Sequence, residues 1–223
     1  MRNRFLILFL LLGGVSTSFA DEAVTQSGPP ISIFIARTAE QFQAPHVFTY
    51  HMLEYEEMHG KWIVPDVGAY DDGHGNFHEF FAGIGAQYYT GKKVALTEEP
   101  YFAQDTGAAG HRARYLWLWT QADFQFAPKL TSVVVLLPCL PLNHGANLEY
   151  DIDRAKVEYA FWKHVTLGAG YSGTKFPGSD WSNTPYMVTK VTTHEGIFEF
   201  WAQKTDGGGQ LQVRYMLIRP KHR

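Results

Sequence analysis

The sequence has little of two things that mark common protein classes, cysteine and charge. Cys139 is the one cysteine in 223 residues, so an intramolecular disulfide is excluded. Charged residues make up 18% of the chain, against about 25% in average globular proteins. A net charge of -3 offers no basic surface for nucleic acid. The 15% aromatic content excludes a disordered chain.

The sequence also lacks an apolar run long enough for a transmembrane helix, which needs about 20 residues. The run at residues 5–12 follows Arg2 and Arg4 and precedes a stretch of small residues that ends at Ala20. A basic start, a short apolar segment and small residues together predict a secretory signal peptide over residues 1–20. Residues 21–30 are rich in Ser, Gly and Pro, and we expect them to form a flexible lead-in.

Most of the remaining chain consists of short runs in which apolar and polar residues alternate. Between residues 210 and 217, for example, Leu211 and Val213 alternate with polar side chains. A period of two, with Gly, Asp, Asn and Pro between the runs, is typical of β-strands joined by turns. One run changes phase near Arg154 and Ala155, which predicts a β-bulge at that point.

Three features favour a barrel whose apolar face meets lipid. The polar faces are rich in Gly, Ser and Gln and poor in charge, unlike a soluble surface. Aromatic residues gather at the ends of runs, as at residues 88–89 and 161–162. Short connections such as 162–164 alternate with longer ones such as 176–184, which is the habit of outer-membrane barrels. The sequence therefore predicts an all-β fold, an antiparallel up-and-down transmembrane β-barrel.

The number of strands follows from the length of the chain. A tilted membrane strand takes about 9–11 residues, so eight strands would leave connections of roughly 17 residues. Twelve strands leave roughly 7 residues per connection, which is typical of short loops. We therefore expect about twelve strands, within a range of eight to twelve, in a single domain over residues 31–218. A basic tail, residues 219–223, follows.

In this pattern the chain resembles small bacterial outer-membrane β-barrel proteins as a class. The resemblance implies a location in the outer membrane of a Gram-negative bacterium, reached by secretion across the inner membrane. It also implies that the membrane lipid and the barrel-assembly machinery are partners, together with small solutes if the barrel conducts. Nucleic acid is not an expected partner.

The polar face of each run predicts which charged side chains line the lumen. They comprise seven acids and three bases, so the predicted lumen is acidic. Mixed charges in a narrow barrel favour a structural network of ion pairs over an open pore. The candidates are Glu79, Asp123, Glu149, Asp151, Asp153, Lys156, Glu158, Lys190, Glu199 and Arg214.

Other chemistry-bearing residues do not form a convincing site in the sequence. Asp71, Asp72, His74, His78 and Glu79 are the densest group of metal-ligand types, but the glycines among them predict a solvated loop. We therefore expect no metal and no cofactor. The adjacent pairs at 56–57 and 98–99 are carboxylates, yet neighbouring residues of a strand point to opposite faces.

The sequence favours a barrel without catalysis, either a small passive channel or a structural barrel. One alternative is a soluble, secreted, lipocalin-like barrel whose interior, lined by residues such as Phe198, Phe200, Leu211 and Val213, binds an apolar ligand. A second alternative is an outer-membrane enzyme that acts on lipid. That alternative needs a cross-strand Ser–His pair, because His164 and Ser172 lie about 26 Å apart along one strand.

Overall fold

The computed structural model describes residues 32–43, 46–72, 76–89, 93–107, 112–205 and 208–220. The predicted signal peptide, the lead-in and His74 lie outside these residues. Twelve strands are present in the described part of the chain. They are β1 (Ser32–Gln43), β2 (His46–His59), β3 (Trp62–Asp71), β4 (Phe77–Tyr89), β5 (Val94–Gly107), β6 (Arg112–Ala127), β7 (Leu130–Pro141), β8 (Glu149–Trp162), β9 (Val165–Lys175), β10 (Thr184–Thr192), β11 (Ile197–Thr205) and β12 (Gly208–Pro220).

The strands form one closed antiparallel barrel in which each strand pairs with its neighbours in sequence. The first and last strands close the barrel, with a register that runs from Ile33 opposite Pro220 to Gln43 opposite Gln210. Closure leaves no strand edge unpaired. The predicted all-β, up-and-down barrel of about twelve strands is confirmed. Within the described residues, no helix is long and apolar enough to cross a bilayer.

The two ends of the barrel differ in the length of their connections. At the end where β1 begins and β12 ends, connections are short, with two residues at 60–61, 128–129 and 163–164. We call this the turn end. The opposite end, the loop end, carries the longer connections 142–148 and 176–183. The connections between β1 and β2 and between β11 and β12 also lie at the loop end but have two residues each, so the alternation of short and long connections expected from the sequence holds only in part.

Large apolar side chains are exposed on the outside of the barrel. Ile84 on β4 is 58% exposed and Met187 on β10 is 63% exposed, whereas Val188, one residue further along, is 2% exposed. Phe200 and Leu211 also belong to this outer face. The lipocalin-like alternative placed these last two side chains around an internal cavity, and the structure shows that placement to be wrong.

The β-bulge predicted in β8 is present and brings two charged side chains together. Val135 of β7 lies opposite Arg154, while Leu136 lies opposite Ile152, so Asp153 is the additional residue. Arg154 donates from Nε to Oδ2 of Asp153 at 2.5 Å. The bulge restores the phase of the strand, and the residues beyond it keep their polar side chains inside.

One part of the interior is apolar, contrary to the expectation of a uniformly polar lumen. The inward residues of β7, among them Val135, Leu137 and Cys139, are buried. They face a packed cluster that contains Phe81, Tyr101 and Trp117, which we call the aromatic cluster. Aromatic rings thus fill one side of the lumen, and apolar residues on β7 complete their packing.

Candidate functional site

The candidate site is the interior of the barrel, where two charged walls face each other. The first wall lies on β8, β10 and β11. Lys156 Nζ is 2.9 Å from Glu199 Oε1 and 3.3 Å from Glu158 Oε1, and Lys190 Nζ is 3.1 Å from Glu158 Oε2. We call these four residues the ion-pair cluster. Because β8 and β11 are separated by two strands, the contact between Lys156 and Glu199 shows that both side chains point into the lumen.

Trp201 extends the ion-pair cluster toward β12. Its indole Nε1 donates to Glu199 Oε2 at 2.8 Å. The Arg214 guanidinium lies 4.0 Å from the centre of the same ring, in cation–π geometry. Arg214 Nε also donates to Gln212 Oε1 at 2.8 Å. Charges of both signs on this first wall therefore have partners, and the wall is close to electrically neutral. We call it the balanced wall.

The second wall, on β1, β2, β3 and β5, carries mainly carboxylates, and we call it the acidic wall. Arg37 binds Glu54 Oε1 through Nη1 at 2.8 Å and Glu56 Oε2 through Nη2 at 2.6 Å. Asp66 and Glu99 lie beside this group, and both are buried. We call Glu54, Glu56, Asp66 and Glu99 the carboxylate cluster. Arg37 is the one cation in salt-bridge contact with it among the described residues.

Tyr101 links the carboxylate cluster to the aromatic cluster. Its hydroxyl oxygen is 2.8 Å from Asp66 Oδ2 and 2.8 Å from Glu99 Oε2. Its ring packs edge-on against Phe81, with centroids 5.5 Å apart. Gly83 makes this position possible, because a Cβ there would collide with the Tyr101 ring. A single hydroxyl proton serves two carboxylates in this arrangement.

A third acidic group lies nearer the loop end of the barrel. Glu79 is directly opposite Asp105 in the register of β4 and β5, and Glu149 and Asp151 lie on β8. Their carboxyl groups are close enough to repel one another. We call these four residues the loop-end acids. No salt bridge joins them to a Lys or Arg within the described residues.

A cavity of about 70 Å³ separates the two walls at the centre of the lumen. A space of this size has room for a few water molecules. Arg214, Arg154 and Glu199 bound it on one side, and Glu54 and Trp117 bound it on the other. Residues from opposite sides of the barrel therefore line one small polar space, with aromatic rings over part of its surface.

The ten candidates from the sequence fall into two groups. Seven lie in or beside the balanced wall, namely Asp123, Asp153, Lys156, Glu158, Lys190, Glu199 and Arg214; the other three, Glu79, Glu149 and Asp151, are loop-end acids. The structure brings four of them into the ion-pair cluster. Their role in lining a conducting passage stays a prediction.

The sequence reasoning missed the whole acidic wall. Arg37, Glu54, Glu56, Asp66 and Glu99 were not among the candidates, and Asp105 and Arg154 were also left out. The sequence did contain one indication of this wall, in the adjacent carboxylate pairs 56–57 and 98–99. Glu56 and Glu99 are the buried members of the pairs 56–57 and 98–99. One member of each pair had to face the lumen, and the two inward members belong to the same cluster.

The other sequence candidates remain apart. Asp71 lies opposite His78 on the outer face, whereas Glu79 faces the lumen, so these residues do not share one site. Cys139 is buried against the aromatic cluster, with Sγ 3.8 Å from Asp151 Oδ2.

Comparison with known proteins identifies the fold. No protein-family model matches the sequence, and no curated protein matches it. Among solved structures, a KdgM porin in complex with disordered oligogalacturonate aligns with 85% of this chain and 99% of its own, with a TM-score of 0.56 and 11% identity. A NanC porin aligns with 85% of this chain and 100% of its own, with a TM-score of 0.55 and 7% identity.

An outer-membrane channel from Pseudomonas putida F1 aligns with 92% of this chain and 100% of its own, with a TM-score of 0.53 and 8% identity. At such low identities the shared property is the architecture. The chain is a closed twelve-strand β-barrel of the kind that bacterial outer-membrane porins have.

Proposed function

We propose that this protein spans the outer membrane of a Gram-negative bacterium as a monomeric barrel. This proposal is supported by the difference in polarity between the outer and inner faces of the barrel. Outside, large apolar side chains such as Ile84, Phe102 and Met187 are exposed. Inside, the polar face carries buried charges. This distribution suits a barrel surrounded by lipid. By the usual orientation, the turn end and both termini face the periplasm.

The proposed role is a narrow passive channel for small solutes, with a preference for cations. The observation that carries it is the central cavity, which two charged walls line. Carboxylates outnumber cationic side chains on the inner face by more than two to one. The inward acids are Glu54, Glu56, Asp66, Glu79, Glu99, Asp105, Asp123, Glu149, Asp151, Asp153, Glu158 and Glu199; the inward bases are Arg37, Arg154, Lys156, Lys190 and Arg214.

Fixed negative charge in a narrow, low-dielectric passage concentrates cations and repels anions. An anionic saccharide such as the oligogalacturonate bound by one KdgM porin would meet this repulsion. We therefore propose inorganic cations and small neutral or cationic molecules as the solutes. The aromatic cluster and the ion-pair cluster fill space on either side of the cavity, which favours small solutes. No catalytic step is required.

Two experiments test the proposal. In fractionation, we expect the protein to stay in the outer-membrane pellet after a high-salt wash and to show heat-modifiable mobility on gels. Its recovery in the soluble periplasm would contradict the membrane assignment. In planar bilayers under a KCl gradient, the reversal potential of the purified protein should show cation preference.

The loop-end acids offer the sharpest variants for the bilayer experiment because no ion pair neutralises them. The double variant Asp105→Asn/Glu149→Gln should reduce the cation preference. Glu98→Gln makes the same chemical change on the outer face and should leave the preference unchanged. Anion preference in the unmodified protein would contradict the proposed lumen charge.

A second candidate function is a closed, purely structural barrel. The aromatic cluster and the ion-pair cluster favour it, because both fill space that a wide pore would leave open. Absence of any conductance from correctly folded protein would support this candidate and contradict the channel.

A further inference from the structure

We propose that the carboxylate cluster on the acidic wall is a binding site for one calcium-sized divalent cation. The ligands are Glu54, Glu56 and Asp66. One carboxylate oxygen from each lies within 4.8 Å of the other two. Three carboxylate oxygens this close together can share one divalent ion. Calcium accepts oxygen ligands at about 2.3–2.6 Å in flexible geometry, whereas magnesium demands a near-ideal octahedron at about 2.0–2.1 Å, so an irregular set of carboxylates suits calcium better.

Arg37 contacts one oxygen of each glutamate in the site. Its guanidinium occupies Oε1 of Glu54 and Oε2 of Glu56. The second oxygen of each glutamate remains for a cation. The three ligand carboxylates and the one guanidinium leave two negative charges uncompensated, and Glu99 beside them adds a third, so the site suits a cation of charge two or more.

Asp66 supplies an independent observation. Its side chain is 1% exposed, and its Oδ1 atom is buried without a hydrogen-bond partner. A buried carboxylate oxygen in that state is strongly destabilising unless a proton or a cation meets it. The other oxygen, Oδ2, is already engaged with Tyr101.

Tyr101 points to the same need for positive charge. Its oxygen lies 2.8 Å from both Asp66 and Glu99, yet it has one proton to donate. The hydroxyl proton is therefore shared between the two carboxylates, and neither receives a full hydrogen bond from it. A cation on Asp66 would supply the positive charge that this shared proton does not.

The experiment uses terbium, a calcium mimic whose luminescence is sensitised by nearby aromatic rings. Tyr101 contacts Asp66, and the Trp117 ring lies 6.4 Å from the Tyr101 ring, so sensitisation is expected. Refolded, chelator-treated protein in detergent is titrated with Tb³⁺. We expect saturable emission that Ca²⁺ displaces at lower concentration than Mg²⁺. This binding assay does not depend on conduction, so its result is independent of the proposed function.

Variants locate the ion. Asp66→Asn and Glu56→Gln should each weaken Tb³⁺ binding roughly tenfold or more, because calcium affinity follows the charge of the ligand set. Glu98→Gln, an exposed glutamate on the outer face of β5, is the matched control and should bind like the unmodified protein. Folding of each variant is checked by heat-modifiable mobility. If either inner variant fails to fold, Glu54→Gln replaces it.

Three outcomes would overturn the proposal. Asp105→Asn could weaken binding while Asp66→Asn does not, which would move the ion to the loop-end acids. Binding could be absent or non-saturable. Finally, Ca²⁺ could leave the melting temperature of the unmodified protein unchanged while mild acidification raises it. That result would mean that a shared proton, rather than a metal ion, supplies the positive charge at Asp66.

Discussion

The two charged walls of the lumen use the same residue types in opposite ways. On the balanced wall, Glu158 is buried between Lys156 and Lys190, and each carboxylate oxygen has a cationic partner. On the acidic wall, Asp66 is equally buried, but its Oδ2 accepts only from the Tyr101 hydroxyl and its Oδ1 has no hydrogen-bond partner. Burial of a charge is tolerated when its partners are complete, and it is destabilising when they are not. The same substitution should therefore have opposite effects on the two walls.

The largest effect is expected where a complete pair is broken. Glu158→Gln leaves Lys190 without its carboxylate and removes one of two partners from Lys156. Breaking a buried pair costs about 3–5 kcal/mol of folding free energy. Urea unfolding followed by tryptophan fluorescence measures this loss, with Glu98→Gln as the exposed control. A loss below about 1 kcal/mol would show that the ion-pair cluster contributes little to stability.

On the outer face, the difference between the walls should disappear. Met187→Arg lies behind the balanced wall and Ile84→Arg lies behind the acidic one, and both side chains are exposed. An arginine in lipid costs about 2–4 kcal/mol near the midplane regardless of what lies inside. The two variants are compared by unfolding in lipid vesicles, with Glu195→Arg in a turn as the neutral control. Tolerance of both arginines would contradict a lipid-facing surface.

On the acidic wall, we expect the removal of a carboxylate to raise the free energy of unfolding rather than lower it. In calcium-free buffer, Asp66→Asn removes a buried charge that lacks a complete set of partners, and stability should rise by about 1–2 kcal/mol. Adding calcium should stabilise the unmodified protein and leave the variant unchanged. Melting curves with and without chelator check both statements. A destabilised variant in calcium-free buffer would mean that Asp66 is already satisfied as a carboxylate.

The smallest effect concerns geometry rather than charge. Arg214→Lys keeps the positive charge on the balanced wall but loses the planar group that stacks on Trp201 and donates to Gln212. We expect a loss of about 0.5–1 kcal/mol, again by urea unfolding. A loss as large as that of Glu158→Gln would mean that stacking, rather than ion pairing, holds this wall together.

The structure also changes how the inner and outer faces of β12 should be tested. From the sequence, Gln212 and Val213 form a simple inward and outward pair. In the structure Gln212 is buried and accepts from Arg214, and Val213 lies opposite Glu40 of β1. An arginine at 212 would meet Arg214, and one at 213 could pair with Glu40. Exposed positions such as Met187 therefore give a cleaner result.

By itself, the sequence predicted the antiparallel barrel, its approximate strand number and the bulge in β8. Alternation of period two, short turns and the phase change at Arg154 are local properties, and side chains of successive strand residues must point to opposite faces. It could not determine which inward charges meet. Glu56 and Glu99 are 43 positions apart in the sequence and come together because closure and register place β2, β3 and β5 around one side of the lumen. The division into a balanced and an acidic wall arises from that long-range arrangement, which no local pattern contains.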